Sequence, residues 1–316
     1  LVAPATANIL AKMAVGLADE LVSTVLLAAK KPIIVCPAMN TGMLENAATQ
    51  ANLQTLKRRG VTVMEPDAGF LACGVTGAGR LPEVPSIIAF LENFLAQREG
   101  DMRGLKVMVS AAGTREPIDP VRFVGNRSSG KMGYAIARCA SLRGAQVTLI
   151  SGPSALTPPP NVQAVQVETT QQMLEACEKV YPEVDVVIMA AAVADYRPHD
   201  VATQKIKKKD EDALTVVMDK NPDILKTLGA EKKQQFLVGF AAETQNLLAN
   251  AREKVQKKNL DMIVANDVTM AGAGFNADTN VVKFLYADGQ VEELAKMSKD
   301  EVARELLDRV LARRQH

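Results

Sequence analysis

Short apolar runs rich in Val and Ile recur along this chain, separated by longer amphipathic stretches, and few folds accommodate that rhythm. The runs are KPIIVCP, GVTVMEP, LKVMVSAAG, AQVTLISGP, VDVVIMAAA, FLVGFAAE and DMIVAND. They are apolar on successive positions rather than on alternate ones, as strands buried on both faces of a parallel sheet require. Between them lie helical segments such as Gly133–Leu142, Met173–Val180 and Leu247–Lys258. The fold class that follows is α/β, with right-handed crossovers. A later stretch, VVKFLYADGQVEELA, alternates about Asp288-Gly289 and predicts a β-hairpin near the C-terminus.

Composition shifts at FLENFLAQREGDMRG, where an apolar helix gives way to a charged, Gly-containing stretch before a new strand begins at Leu105. A boundary near residue 100 divides the chain into domains 1–98 and 104–316, consistent with a length of 316 residues. The segment KIKKKDED, Lys205–Asp212, reads as a polar loop. Net charge is +1, so no global field favours nucleic acid or an anionic membrane, and an anion site must be built locally. No apolar run reaches the roughly 18–20 residues of a membrane span. The opening LVAPATANIL lacks the charged-then-apolar layout of a secretory signal and reads as a strand end followed by a helix. The front of the first domain is therefore expected to lie upstream of Leu1. Cys36, Cys73, Cys139 and Cys177 are scattered, with no C-x-x-C pair, which points to reduced thiols in a cytoplasmic enzyme. With His199 and His316 as the two histidines, a His-dependent triad or multi-histidine metal site is nearly excluded.

The most informative stretch is VMVSAAGTREPIDPVRFVGNRSSGKMGYAIA, Val107–Ala137. A buried strand ends at Ala112-Gly113, a long polar loop follows, and a helix starts after Ser128-Ser129-Gly130. Backbone amides at such a start, with small residues allowing close approach, form an anion site, and Lys131 adds a charge. An ordinary capped helix reads the same way locally. The pattern is neither G-x-G-x-x-G, which argues against a NAD-dependent enzyme, nor a P-loop. Further on come AAAVADYR (Ala190–Arg197), KIKKK, KNPDIL (Lys220–Leu225), VGFAAET (Val238–Thr244) and KKNLDMIVAND (Lys257–Asp267).

In this order and spacing, residues 104–316 resemble phosphopantothenate–cysteine ligases of coenzyme A biosynthesis. The resemblance implies a Rossmann-like domain in which 4′-phosphopantothenate attacks CTP to give an acyl-cytidylate, after which cysteine displaces CMP, with Mg²⁺ on the triphosphate. Asn126 matches the Asn that handles the intermediate, and Arg122 a basic residue of the same half-reaction. Ala190, Ala191, Asp195, Lys205, Pro222, Asp223, Ile224, Phe240, Lys254 and Lys258 match the CTP contacts. Lys205 would neutralise transition-state charge from a loop that can close, although a Lys run is also what a solvated loop shows. Lys254 and Lys258 lie four apart, on one helical face, and are either phosphate ligands or the polar stripe of that helix. Asp195 meets the nucleotide or the metal. The resemblance also implies a homo-oligomer, a ligase dimer.

Residues 1–98 carry APATAN (Ala3–Asn8), VGLADELVST (Val15–Thr24), PAMN (Pro37–Asn40) and LACGVTGAGRLPE (Leu71–Glu83). These resemble the C-terminal half of phosphopantothenoylcysteine decarboxylase, a flavodoxin-like FMN protein. By that resemblance Cys73 is the proton donor and Asn40 holds the substrate carboxylate, whereas Cys36 reads as a core residue. The family's Gly-rich flavin-phosphate loop and catalytic His precede this region. Little FMN binding or decarboxylation is therefore expected of the chain as it stands, and bifunctionality of the intact protein. A non-catalytic regulatory or binding module on the same fold is the rival reading, and the retained Asn126 and Lys205 argue against it.

Overall fold

The computed structural model describes residues 1–70, 74, 76–207, 213–243, 247–267 and 277–314. The chain divides into two compact units, Leu1–Glu92 and Asn93–His316.

The first unit starts with β1 (Val2–Ala5), α1 (Ala7–Val15), α2 (Leu21–Ala28) and β2 (Ile34–Pro37). Next come α3 (Thr41–Glu45), α4 (Ala47–Arg58) and β3 (Thr62–Val63). A hairpin of β4 (Asp67–Phe70) and β5 (Thr76–Arg80) follows, and α5 (Val84–Glu99) runs across the division. Strands β1, β2 and β3 form a parallel sheet in that order. Helix α1 begins where Thr6 Oγ1 accepts the Ile9 amide at 3.3 Å. It ends where Gly16 takes a left-handed conformation, φ 77°, that few other residues tolerate. Ala5, Leu10, Val35, Leu53 and Leu56 form the core between the sheet and the helices α1 and α4. Cys36 is fully buried beside Met64, as the apolar run around it predicts, and burial pushes its thiol pKa up.

The second unit contains β6 (Lys106–Ala111), β7 (Arg115–Pro117), β8 (Phe123–Gly125), α6 (Lys131–Leu142), β9 (Gln146–Ser151) and β10 (Val162–Gln166). It continues with α7 (Thr170–Val180), β11 (Val186–Met189), β12 (Tyr196–Pro198), β13 (Met218–Lys220), α8 (Ile224–Glu231) and β14 (Phe236–Glu243). The last elements are α9 (Leu247–Lys257), β15 (Met262–Asp267), β16 (Thr279–Asn280), β17 (Val282–Tyr286), β18 (Val291–Glu293), β19 (Met297–Ser298) and α10 (Lys299–Arg314). The main sheet has the order β10-β9-β6-β11-β14-β15-β17-β18. Strands β10 to β15 are parallel, and the β17–β18 hairpin closes one edge antiparallel. The first parallel strand is thus central, with its two successors on one side and the next three on the other. This is the doubly wound, Rossmann-like arrangement, whose direction reverses between β6 and β11.

The sheet is apolar on both faces because its strands feed two cores alternately. Val107 and Val109 of β6, Val186 and Ile188 of β11 and Met262 and Val264 of β15 pack with Ile136 of α6 and Leu306 of α10. Met108, Val187 and Ile263, one residue out of step, pack with Met173 of α7, Leu228 of α8 and Val255 of α9. Helix α6 lies unusually close to its strand: a Cβ on Gly133 would meet the Ala111 Cβ at 2.6 Å. At the turn of the β17–β18 hairpin, Gly289 adopts φ 86°, as Asp288-Gly289 foretells. Among the described residues no helix is long and apolar enough to cross a membrane.

Candidate functional site

A cavity of about 670 Å³ opens in the second unit at the carboxyl ends of β6, β11 and β14. This is where open α/β sheets place ligands, beside the strand pair at which the winding reverses. Two loops form its floor. After β6 the chain runs through the β7–β8 hairpin to Asn126, Ser128 and Gly130 and enters α6. After β11 it runs through Ala190, Ala191 and Ala192 to Asp195. The β6–β11 pairing extends past the strands as a Gly113–Ala192 bridge, so the loops leave the sheet side by side.

Asn126 locks them together. Its Nδ2 donates to the carbonyls of Ala192 at 3.2 Å and Val193 at 3.0 Å. A buried polar network fixes the second loop from below. Thr114 Oγ1 accepts the Ala194 amide at 2.9 Å, and Thr170 donates its amide and its hydroxyl to Glu116 Oε1 at 2.9 and 2.7 Å. With its hydroxyl proton so committed, Thr170 must accept from Thr114 across the 3.1 Å separation. Asn221 carries the network onward, Nδ2 donating to the Ala194 carbonyl at 2.9 Å and its amide to the Asp195 carbonyl at 2.8 Å. The loop before α8 is thereby held against the loop after β11.

Asp223 caps α8, Oδ1 accepting the Lys226 amide at 3.0 Å, and its other oxygen lies 2.8 Å from Lys258 Nζ. Lys254 and Lys258 both line the cavity, joined by Phe240 from β14 and by Pro222 and Ile224. The structure therefore gathers Asn126, Ala190, Ala191, Asp195, Pro222, Asp223, Ile224, Phe240, Lys254 and Lys258 around one space.

Lys205 and Arg122 are placed differently. Lys205 is exposed and is not part of the cavity lining. Arg122 is paired with the buried Asp119, whose carboxyl it holds well below the usual carboxylate range. Arg122 Nη2 donates to the Ile206 carbonyl at 3.0 Å, and Asp119 Oδ2 accepts the Ile206 amide at 3.1 Å. The pair thus grips the residue next to Lys205 and anchors the base of the Lys-rich loop. Residues 208–212, the rest of that loop, lie outside the described residues.

Other lining residues, among them Asn280 and Lys299, escape sequence reasoning. Lys299 sits in MSKDEVARELL, which reads as the polar start of an amphipathic helix and carries no local sign of a pocket. Among the described residues no three His, Cys, Asp or Glu side chains are grouped to hold a metal ion. Among the described residues, the carboxylates in the cavity wall are Asp195 and Asp223.

In the first unit, the ends of β1 and β2 are adjacent, Ala5 opposite Pro37, so the Ala3–Asn8 and Pro37–Asn40 loops leave the sheet together. Asn40 caps α3 through Oδ1, which accepts the Gly42 amide at 2.8 Å. The β4–β5 hairpin is hydrogen bonded to this loop, Met39 amide to Gly79 carbonyl at 2.9 Å and Thr41 Oγ1 to Ala78 carbonyl at 2.8 Å. Cys73 lies outside the described residues.

Comparison with known proteins agrees with this division. Residues 102–313 match the family model of the DNA/pantothenate metabolism flavoprotein C-terminal domain, and residues 1–96 match that of the Flavoprotein family. The coenzyme A biosynthesis bifunctional protein CoaBC of Bacillus subtilis is 46% identical over 314 residues, covering 99% of this chain and 77% of the relative. The protein of the same name from Escherichia coli K12 is 44% identical over 316 residues, with the same coverage of 99% and 77%. A crystal structure of the C-terminal domain of a CoaBC protein superposes with TM-score 0.57 at 48% identity, covering 66% of this chain and 95% of that one. With a Flavoprotein domain followed by the pantothenate-metabolism C-terminal domain, this chain belongs to the family of bifunctional CoaBC enzymes of coenzyme A biosynthesis.

Proposed function

We propose that the second unit joins 4′-phosphopantothenate to cysteine at the expense of CTP. The observation that carries this is the convergence on one cavity of Asn126, the Ala190–Asp195 loop, Pro222-Asp223-Ile224, Phe240, Lys254 and Lys258. In the first step a carboxylate oxygen of 4′-phosphopantothenate bonds to the α-phosphorus of CTP. The α–β bridging bond breaks, and its electron pair leaves on pyrophosphate. In the second, the cysteine amine attacks the acyl carbon, the bond to the cytidylate oxygen breaks, CMP departs and the amine loses a proton.

Both reactants of the first step are anions, so catalysis rests on positioning and charge compensation rather than on a protein nucleophile. Asn126 is suited to hold the acyl-cytidylate, since its own hydrogen bonds tie the loop after β6 to the loop after β11. Lys254 and Lys258 supply positive charge from the end of α9, with Lys258 oriented by Asp223. Lys205 is exposed in this state and would act after its loop closes. Mg²⁺ on the triphosphate would add to this charge compensation. For the first unit FMN would be the cofactor, with Asn40 and Cys73 as the proposed substrate carboxylate ligand and proton donor. The flavin, when bound, supplies the two-electron oxidation that makes decarboxylation feasible.

The test is release of pyrophosphate from CTP. It should require 4′-phosphopantothenate and Mg²⁺, and the cysteine adduct should form when cysteine is added. A folded sample that releases none removes the ligase assignment.

A further inference from the structure

Asp119 carries a buried charge that the ligation reading leaves without a task. It sits in the turn between β7 and β8, 2% exposed, and burying a carboxylate is costly unless hydrogen bonds replace the lost water. The turn itself needs only one of the two oxygens. Oδ1 accepts the amides of Val121 at 2.8 Å and Arg122 at 2.9 Å, a local pattern that the side-chain oxygen of Asn or Ser also supplies. Oδ2 serves another purpose. It accepts Arg122 Nε at 2.9 Å and, 87 residues further along the chain, the Ile206 amide at 3.1 Å.

Ile206 is thereby held by both of its backbone polar groups, its amide on Asp119 and its carbonyl accepting Arg122 Nη2 at 3.0 Å. Four residues earlier, the Ala202 amide donates to the Ile118 carbonyl at 3.0 Å, in the same turn. The turn therefore grips the chain on either side of residues 203–205. The Lys205 side chain is exposed, but its backbone stands between two anchored points. The anchor is itself fixed. Strand β8 runs from Arg122 to Asn126, and a Cβ on Gly125 would meet the Thr114 carbonyl oxygen at 2.6 Å, so the strand lies hard against the chain leaving β6. One short hairpin thus carries Asn126 at one end of a strand and the stem of Lys205 at the other.

We propose that Asp119 is a positioning residue for the first half-reaction: by holding Ile206 it fixes the stem from which Lys205 reaches the nucleotide. The inference rests on the ligase reading above and on the part Lys205 plays in it. A lysine is long and rich in rotamers, and setting its ammonium against charge developing on the α-phosphate is easier when the backbone beneath it is already in place. The charge of Asp119 is matched by Arg122 and meets no substrate. Asn at this position would keep the turn through Oδ1, yet its Nδ2 would set a donor against the two donors that Oδ2 now accepts.

Single-turnover pyrophosphate release and CTP affinity, measured on the full chain as parent, Asp119→Asn, Lys205→Gln and the double variant, test this. Asp119→Asn should slow release about tenfold to a hundredfold, the upper figure being what a displacement of about 1 Å can cost, and leave CTP affinity within about twofold. In the double variant the loss should equal that of Lys205→Gln alone, because a stem without its lysine has nothing to position. Losses that multiply would show that Asp119 acts by another route and would overturn the proposal. So would unchanged release in Asp119→Asn, or an affinity loss as large as the rate loss. Amide exchange in the parent gives a reading that needs no variant to fold. The Ala202 and Ile206 amides should exchange well below the rate of an unprotected peptide, with and without CTP, and an unprotected Ile206 would also overturn it. A parent that releases no pyrophosphate would sink the ligase reading itself, whereas an active parent with multiplying losses would sink this inference alone.

Discussion

Asn126 holds two backbone carbonyls through one amide nitrogen, and a carboxylate cannot do that. Asn126→Asp loses both donated hydrogen bonds and sets a negative charge facing the Ala192 and Val193 carbonyls and any bound phosphate. The expected result is an acyl-cytidylate that accumulates or turns over slowly, visible by quenching the reaction and separating nucleotide species. Adduct formed at the parent rate would give Asn126 another role. Lys205 predicts the opposite split. It is solvated in this state, so Lys205→Gln should barely change CTP affinity, yet slow pyrophosphate release in a single turnover by about 10²–10³-fold. A large affinity loss with unchanged chemistry would make it a plain binding residue. At this scale the residues that line the cavity are legible in the sequence where they stand in an ordered series of loops, as in AAAVADYR and KNPDIL. Lys299 and Asn280 carry no such sign, because Asn280 is set beside Met297, two residues before Lys299, by a two-residue ladder, β16 with β19, that closes only in three dimensions.

Between elements, the buried Thr114–Thr170–Glu116 network is what keeps the loop after β11 in place, and it can be broken at one atom. Thr170→Val preserves shape but deletes the hydroxyl that donates to Glu116 and accepts from Asn221. Leaving buried partners unmade should cost about 1–3 kcal/mol in stability, read by denaturant unfolding, and should raise the KM for CTP more than it lowers turnover. A variant as stable as the parent would mean that water replaces the hydroxyl. The β12–β13 hairpin offers a pH test. His199 Nδ1 lies 2.8 Å from Asp219 Oδ2, and that partner raises its pKa above 6.5. A raised pKa means that the stabilisation is fully present below pH 6.5 and fades as pH climbs through the higher folded value. Amide protection in the hairpin should fall over that window, and His199→Gln should flatten the dependence. Neither this hairpin nor β7–β8 was foreseen from sequence. Three-residue strands show no periodicity, whereas β6, β11, β14 and β15 announce themselves by being apolar on both faces.

For the molecule as a whole, the doubly wound sheet followed from the rhythm of apolar runs, and its strand order, which no run encodes, is what brings the loops after β6 and β11 side by side. The two units have separate cores: the clusters around Val109 and Leu237 belong to the second, and that around Leu10 and Val35 to the first. The cavity is built wholly from residues of the second unit. A ligand stabilises only the folded structure that binds it, by RT ln(1 + [L]/Kd), about 2.7 kcal/mol at a hundredfold excess over Kd. For a unit of this size each kcal/mol raises the melting midpoint by about 2–4 °C, so saturating CTP should move the transition of the second unit up by about 5–10 °C. The transition of the first unit should stay where it is. Differential scanning calorimetry with and without CTP makes the comparison, and the Lys258→Ala variant, which removes the partner of Asp223, should shrink the shift without abolishing the transition. Equal movement of both transitions would mean that the nucleotide binds outside this cavity or that the units unfold as one.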